Sequence, residues 1–348
     1  MISTTTTATT VCDGRHCGGA KGDINMSKLK LTKVASATIT AVTVLGLAAC
    51  GGGNNTAIRI MVPNSPGGGY DTTARTAAKI IESEKINDDV EVYNLEGAGG
   101  TTGLAKLVSQ KGKAGEAMLM GLGVVGAVYT QNSEKTLSDT TPIARLISEP
   151  DTIVVPANSP YDTVEELQAA WAKDPAHFPV GGGSSPGGPD HLAAHLTADA
   201  LGIEPKDVKY GVYDGGGPLL VGLLSGEVKA GFSGVGEYKD QIEAKQLKVL
   251  AVTSGERVPG FDAPTLKEQG FDLEFINWRG LVAPPGIPDA ERDRLIKVAD
   301  DLHATKAWKD AEAENGWTDS YVTGDKFGDY IDEQNKLVED LLTELGLL

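Results

Sequence analysis

Pro63-Asn64-Ser65-Pro66-Gly67-Gly68-Gly69-Tyr70-Asp71-Thr72 decides how this chain is read. An apolar run, Ile58 to Val62, precedes it, and Ala74, Ala77, Ala78 and Ile81 follow at the spacing of one helical face. Strand, glycine turn and helix start, in that order, make an anion-binding device. The glycines admit positive φ and let a ligand approach the backbone. The first N–H groups of the helix have no partners and lie at the positive end of its dipole. A carboxylate or phosphate is held there without a basic side chain. Asp71 is placed to cap the helix. Gly67, Gly68, Gly69, Tyr70, Asp71 and Thr72 are therefore candidate ligand contacts, with Tyr70 as an aromatic cover.

The same order recurs along the chain. A strand over 90–93 leads into Glu96-Gly97-Ala98-Gly99-Gly100-Thr101-Thr102, and Leu104, Leu107 and Val108 mark a short helix. A third strand, 117–120, ends in Gly121-Leu122-Gly123-Val124-Val125-Gly126, where Gly123 or Val124 offers a backbone contact. Strands over 143–147 and 153–156 flank Ser148-Glu149-Pro150-Asp151, read as a crossover into a second domain. Thr163 or Asp162 caps a helix over 164–172. Val180 then opens Gly181-Gly182-Gly183-Ser184-Ser185-Pro186-Gly187-Gly188-Pro189-Asp190-His191, in which Pro189 suits a first helical turn. Gly183, Ser184, Ser185, Gly188 and His191 are candidates there. A strand over 208–212 precedes Tyr213-Asp214-Gly215-Gly216-Gly217-Pro218, with Asp214 and Gly215 as candidates and an apolar helix face at Leu219, Leu220, Leu223 and Leu224. Further strands fall at 230–232, 249–252 and before Pro284, and helices at 289–303, 305–314 and 325–345, with Asp289 and Asp325 as caps.

Alternating strands and helices predict open α/β sheets, whose ligands sit at the carboxyl ends of the strands. The fold expected is α/β and two-lobed, with helices flanking a sheet in each lobe. Residues 57–152 with 278–348 form one lobe and 153–277 the other, and the facing glycine loops enclose a cleft.

The 348-residue chain is 40% hydrophobic and carries a net charge of −17. Without residues 1–50 it is more acidic still, because that stretch holds Arg15, Lys21, Lys28, Lys30 and Lys33 against Asp13 and Asp23. Such a balance excludes nucleic acid, which needs a basic surface. The amino end reads as an address: Lys28, Lys30 and Lys33, an uncharged apolar run over 34–49, then Leu47-Ala48-Ala49-Cys50-Gly51. That pattern resembles a bacterial lipoprotein signal with cleavage before Cys50 and acylation of its thiol, so the protein is expected at the outer face of the cytoplasmic membrane, lipid-anchored through Cys50. Met26 is a better start than Met1, and Cys12, His16 and Cys17 make a weak metal pattern.

Three sharper motifs carry competing readings. Gly183-Ser184-Ser185-Pro186-Gly187 matches the hydrolase nucleophile pattern and leaves a serine hydrolase using Ser185 as the alternative function. Pro186, however, cannot donate the oxyanion-hole N–H that the residue after the nucleophile must supply. Gly121, Gly123 and Gly126 resemble a dinucleotide fingerprint without an acidic residue at a strand end some 20 positions on. His191 and His195 have metal spacing, but Leu192 stands where a zinc protease needs Glu. No cofactor, metal or catalysis is expected.

Taken together, Val62-Pro63 with Pro66-Gly67-Gly68 and Asp71, then Glu96-Gly97-Ala98-Gly99-Gly100-Thr101, Gly187-Gly188-Pro189-Asp190-His191, Gly215-Gly216-Gly217-Pro218 and Trp278-Arg279-Gly280-Leu281-Val282-Ala283-Pro284-Pro285-Gly286 resemble the substrate-binding proteins of tripartite tricarboxylate transporters, the Bug family. The resemblance runs over residues 57–348. It implies a periplasmic-binding-protein-like fold, a Venus flytrap, in a monomeric extracytoplasmic protein that closes on a small organic acid, a tricarboxylate, dicarboxylate or related compound, and delivers it to integral membrane transporter subunits. Asp214 departs from the pattern, since many members carry a basic or neutral residue there; a carboxylate disfavours a second anion and suits an ammonium or a hydroxyl.

Overall fold

A computed structural model describes residues 57–348. The expected lipobox at Cys50 and the Cys12–Cys17 stretch lie outside the described residues. In chain order the elements are β1 (Ile58–Val62), α1 (Gly69–Ser83), β2 (Val90–Asn94), α2 (Thr101–Ser109), β3 (Glu116–Gly121), α3 (Leu122–Thr130), β4 (Thr141–Pro156), α4 (Val164–Lys173), β5 (Pro179–Gly182) and α5 (Pro189–Ala200). They continue with β6 (Lys209–Val212), α6 (Gly216–Ser225), β7 (Ala230–Gly234), α7 (Lys239–Glu243), β8 (Leu247–Val252), β9 (Ile276–Ala283), α8 (Asp289–Ala304), α9 (Lys306–Asn315), β10 (Thr318–Thr323) and α10 (Gly324–Glu344).

The strands run β2-β1-β3-β9-β4-β7-β5-β6, with β8 and β10 also paired to β4. β1 is parallel to β2 and β3, and β5 is parallel to β6 and β7, so each side repeats a β-α-β core. Both faces of β1 are covered: Ile58, Ile60 and Val62 join one apolar cluster and Met61 another. That is the pattern of a parallel strand buried on both faces. The apolar face of α1 (Ala74, Ala77, Ile81) packs with the first set, as its spacing predicts.

The expected pair of strands around Ser148–Asp151 is one continuous strand. β4 pairs with β9 from Thr141 to Pro150, then with β7 from Asp151 to Val154 and with β8 from Thr152 to Pro156. Glu149 and Asp151 sit inside it, where their polarity reads as a break. The chain still changes sheets at Pro150–Asp151. Thr253 ties the crossing segments together, its amide donating to the Asp151 carbonyl (2.9 Å) and its hydroxyl to that of Phe275 (2.8 Å).

Three smaller expectations change. The Gly121–Gly126 stretch is not a loop: helix α3 starts at Leu122, immediately after β3. Asp71 is not the cap of α1; Gly68 is, and the carboxylate reaches back from the first turn. Asp289 and Asp325 likewise lie within their helices, capped by Pro288 and Thr323. At α4 the expected cap holds, with Thr163 accepting from the Glu166 amide at 3.2 Å. β10 was not expected; its side chains are polar or half-buried and carry little periodicity.

Candidate functional site

Two loops built on the same tetrapeptide face each other. Ser65-Pro66-Gly67-Gly68 leads into α1 and Ser185-Pro186-Gly187-Gly188 into α5. Gly67 and Gly187 have φ of +87° and +82°, a left-handed conformation that glycine adopts without strain. Gly68 and Gly188 cap their helices at φ/ψ of −76°/171° and −75°/172°. The Gly68 amide donates to the Ser65 carbonyl and the Gly188 amide to that of Ser185. The braces also correspond. The Gly67 amide donates to Asp71 Oδ2 (2.9 Å), and the Gly187 amide donates to His191 Nδ1 (3.1 Å). Asp71 and His191 therefore hold loops in shape.

The loops border a cavity of about 380 Å³. Of the expected contacts, Gly68, Gly69, Tyr70, Gly123, Gly183, Ser184, Ser185, Asp214 and Gly215 line it. Gly67 and Thr72 line a smaller adjoining cavity that shares Gly69, Glu149, Glu237 and Arg279 with it. Asp71, Val124, Gly188 and His191 line neither. Asp71 is spent on Gly67, Arg75 (2.9 Å) and Asn94 (2.9 Å), Val124 is fully buried in the core, Gly188 packs against Ser184, and His191 borders a separate hollow beside Tyr129 and Leu347. Contacts cross the cleft beside the cavity: Ser65 Oγ donates to Asp214 Oδ2, and Thr130 Oγ1 donates to the Pro186 carbonyl at 2.9 Å.

The floor carries the residues that the motifs did not single out. Arg279 on β9 pairs through Nη2 with Glu149 Oε1 on β4, and its Nη1 donates to Thr73 Oγ1 at 3.0 Å. Both charged partners are at most 4% exposed. Gly234 leaves room for this pair, since a Cβ there would stand 2.6 Å from Glu149 Oε1. Asp190, Glu237 and Asn277 complete the floor and wall.

Residues 73–347 match the tripartite tricarboxylate transporter family receptor. The chain belongs to this family. The receptor is 31% identical over 261 residues to the UPF0065 protein of the tcbD-tcbE intergenic region of Pseudomonas sp. (strain P51), covering 71% of this chain and 75% of the relative. It is 29% identical to a TctC solute-binding protein from Polaromonas solved with no ligand, at a TM-score of 0.61 over 83% of this chain and 98% of that one. The two-lobed periplasmic-binding fold is shared at a TM-score of 0.73 with MatC from Rhodopseudomonas palustris, solved with bound malate, at 20% identity over 82% and 98% of the chains.

The receptor's cleft is acidic. Glu96, Glu149, Asp190, Asp214 and Glu237 line it, against Arg279 as the one lysine or arginine among the described lining residues. Burial pushes the Glu149, Asp190 and Glu237 carboxyls up from their ordinary range. Asp151, two residues along β4 from Glu149 and on the same face, is fully buried with no hydrogen-bond partner on either oxygen. Burial, then the charges of Glu149 and Glu237, push its carboxyl well up. At Asp71 burial is outweighed by hydrogen bonds from Arg75, Gly67 and Asn94, so that carboxyl is held below the usual range. Burial and the neighbouring His195 take His191 down to about 3, which keeps it neutral and its Nδ1 able to accept from Gly187. The Tyr70 hydroxyl is raised to about 12 by burial.

Sequence reasoning passed over Arg279, Glu149, Asp190 and Glu237 as contacts. A signal for two of them was present. Arg279 stands within Ile276-Asn277-Trp278-Arg279-Gly280-Leu281-Val282-Ala283, and an arginine inside an apolar strand needs a buried counter-charge. The repeated Ser-Pro-Gly-Gly also aligns Asp190 with Tyr70, the residue already singled out in the first loop.

Proposed function

We propose that the receptor captures a small organic carboxylate between its lobes and delivers it to integral membrane transporter subunits. The observation that carries this reading is the pair of matched glycine loops around the cavity, with the first turns of α1 and α5 directed at it. The first amides of α1 have no acceptor within the helix and sit at its positive end, so a carboxylate is held there by backbone alone. Malate in MatC supports the ligand class. Binding closes 57–152 with 278–348 against 153–277, with bending near 148–156 and 252–280, where β4 changes sheets and Thr253 joins the crossing segments. No bond is made or broken in the ligand. A serine hydrolase using Ser185 is disfavoured, because among the described residues no histidine lines the cavity and Pro186, next after Ser185, has no backbone N–H for an oxyanion hole.

Among the described residues no helix is long and apolar enough to cross a membrane. Attachment is assigned to acylated Cys50, which places the receptor on the outer face of the cytoplasmic membrane. A thermal-shift screen of organic acids tests the main reading. A rise in melting temperature without turnover supports it, whereas ester hydrolysis lost in Ser185→Ala overturns it. Cys50→Ser should abolish lipid labelling and release the receptor from membranes; a variant still acylated and membrane-bound refutes the anchor.

A further inference from the structure

Apart from the cavity, three metal-ligating side chains converge from three elements. His303 in the last turn of α8, Glu312 on α9 and Asp319 on β10 each offer one ligand atom, and those atoms lie within 4.8 Å of one another. His303 is half-buried and Asp319 exposed, so the cluster is open to ions from solvent. Glu312 is different: its residue is 5% exposed, and its Oε1 is buried with no hydrogen-bond partner. Neighbours fix the other two side chains. The His303 ring stacks on Tyr321 with centroids 4.0 Å apart and 9° between the planes, and the Tyr321 amide donates to Asp319 Oδ1 at 3.1 Å.

A cation of the protein already stands among these atoms. Lys309 Nζ is 2.7 Å from His303 Nε2, 2.7 Å from Asp319 Oδ2 and 3.3 Å from Glu312 Oε2. The acceptors are thus arranged around a positive centre, but the ammonium does not satisfy them. His303 Nε2 also stands 3.0 Å from Asp319 Oδ1. Unprotonated, it accepts from Lys309 and turns its lone pair on the carboxylate; protonated, it donates to Asp319 and meets the ammonium. No protonation state of the ring serves both neighbours. Glu312 Oε1 still lacks a donor, and a buried carboxylate oxygen left so is costly. One divalent ion would take the imidazole lone pair and both carboxylates together. The Lys309 side chain is 41% exposed, which gives it a path into water.

We propose that this cluster is a site for a divalent transition metal of the zinc, cobalt or nickel class, held by His303 Nε2 and the Glu312 and Asp319 carboxylates with water in the fourth position, and that the metal displaces the Lys309 ammonium. One imidazole with two carboxylates suits these ions. Tetrahedral ligands about 2.1 Å from zinc stand about 3.4 Å apart. Atoms now at most 4.8 Å apart therefore close in by about 1.4 Å or less once the ammonium leaves. The metal ties the end of α8 to α9 and β10, and β10 pairs with β4, the strand shared by both lobes. Its role is that of a staple. The inference stands apart from the carboxylate reading, and either can fail without the other.

The test uses the purified receptor without an affinity tag, stripped with a chelator and dialysed. Zinc is titrated calorimetrically, and cobalt is followed by its visible absorption, which is intense in a tetrahedral site. The expected result is one saturable equivalent of zinc and a higher melting temperature. Lys309→Met removes the competing ammonium and should bind zinc at least tenfold more tightly than wild type. His303→Ala and Asp319→Asn should each weaken binding at least tenfold. Binding undiminished in both of those variants means an adventitious ion only, as at the exposed His177–Asp174 pair, and overturns the site. Equal zinc affinity in wild type and Lys309→Met overturns the displacement. No saturable binding to either at millimolar zinc overturns the proposal outright, and calcium or magnesium bound as tightly as zinc overturns the metal class. The comparison of wild type with Lys309→Met stands even if His303→Ala fails to fold.

Discussion

Replacing Asp151 by Asn should make the receptor progressively more stable than wild type as pH rises. Asp151 is 0% exposed, neither carboxylate oxygen has a hydrogen-bond partner, and Glu149 and Glu237 add negative charge nearby. Its folded pKa lies well above that of an unfolded aspartate, near 3.9. Between those two values the folded state binds more protons than the unfolded state, so stability falls as pH rises through the window. One proton sets the steepest slope, about 1.4 kcal/mol per pH unit. The variant has no proton to lose at this position, so the stability difference should open at up to that rate and flatten once the wild-type carboxyl ionises. The difference between the two proteins is the quantity to read. His191 and His195, both depressed by burial, tilt each profile the other way below about pH 6.5 and cancel in the comparison. Carboxyls held low, such as Asp319 at about 2, have contributed fully by pH 5. Urea unfolding followed by circular dichroism at pH 5, 6, 7 and 8 gives the numbers. Parallel profiles would refute the reasoning: Asp151 would then titrate as it does in the unfolded chain.

Three further outcomes follow from contacts described above. Glu149→Ala leaves Arg279 buried without its counter-charge and should cost about 3–5 kcal/mol in urea unfolding; a loss under about 1 kcal/mol would mean the pair contributes nothing net. Gly126→Ala places a methyl onto the Gly187 carbonyl across the cleft, so ligand affinity should fall at least tenfold, and unchanged titration curves would show that the lobes need not approach there. Gly68→Val is compatible with the local backbone, its Cβ approaching nothing nearer than the Asn64 side-chain Nδ2 at 3.1 Å, but it fills the cavity wall. Binding should be lost with the unfolding midpoint little changed, and retained affinity would remove this loop from the site.

The strand, glycine turn and helix units were legible because their signals are local. Apolar alternation marks β1, the spacing of Ala74, Ala77, Ala78 and Ile81 marks α1, and Thr163 announces α4. The order of the glycine motifs indicated the family, and nine of the fifteen expected contacts line the main cavity. Asp71 and His191 were misplaced for one reason. Position beside a loop is visible in sequence, but the direction of a side chain is set by which amide it can reach, here Gly67 and Gly187. β4 was read as two strands because Glu149 and Asp151 look like a break until Arg279 is brought across from β9.

The chain by itself determined where its backbone turns and where helix amides become available to an anion. Periodicity, glycine freedom and capping are properties of neighbouring residues. Only the tertiary structure decided what charge that device faces. Arg279 meets Glu149, and Glu237 reaches the Gly216 amide at the start of α6, through segments distant in sequence. Coulomb energy and desolvation depend on distances in space and on burial, and neither exists until the sheets that β4 joins have formed.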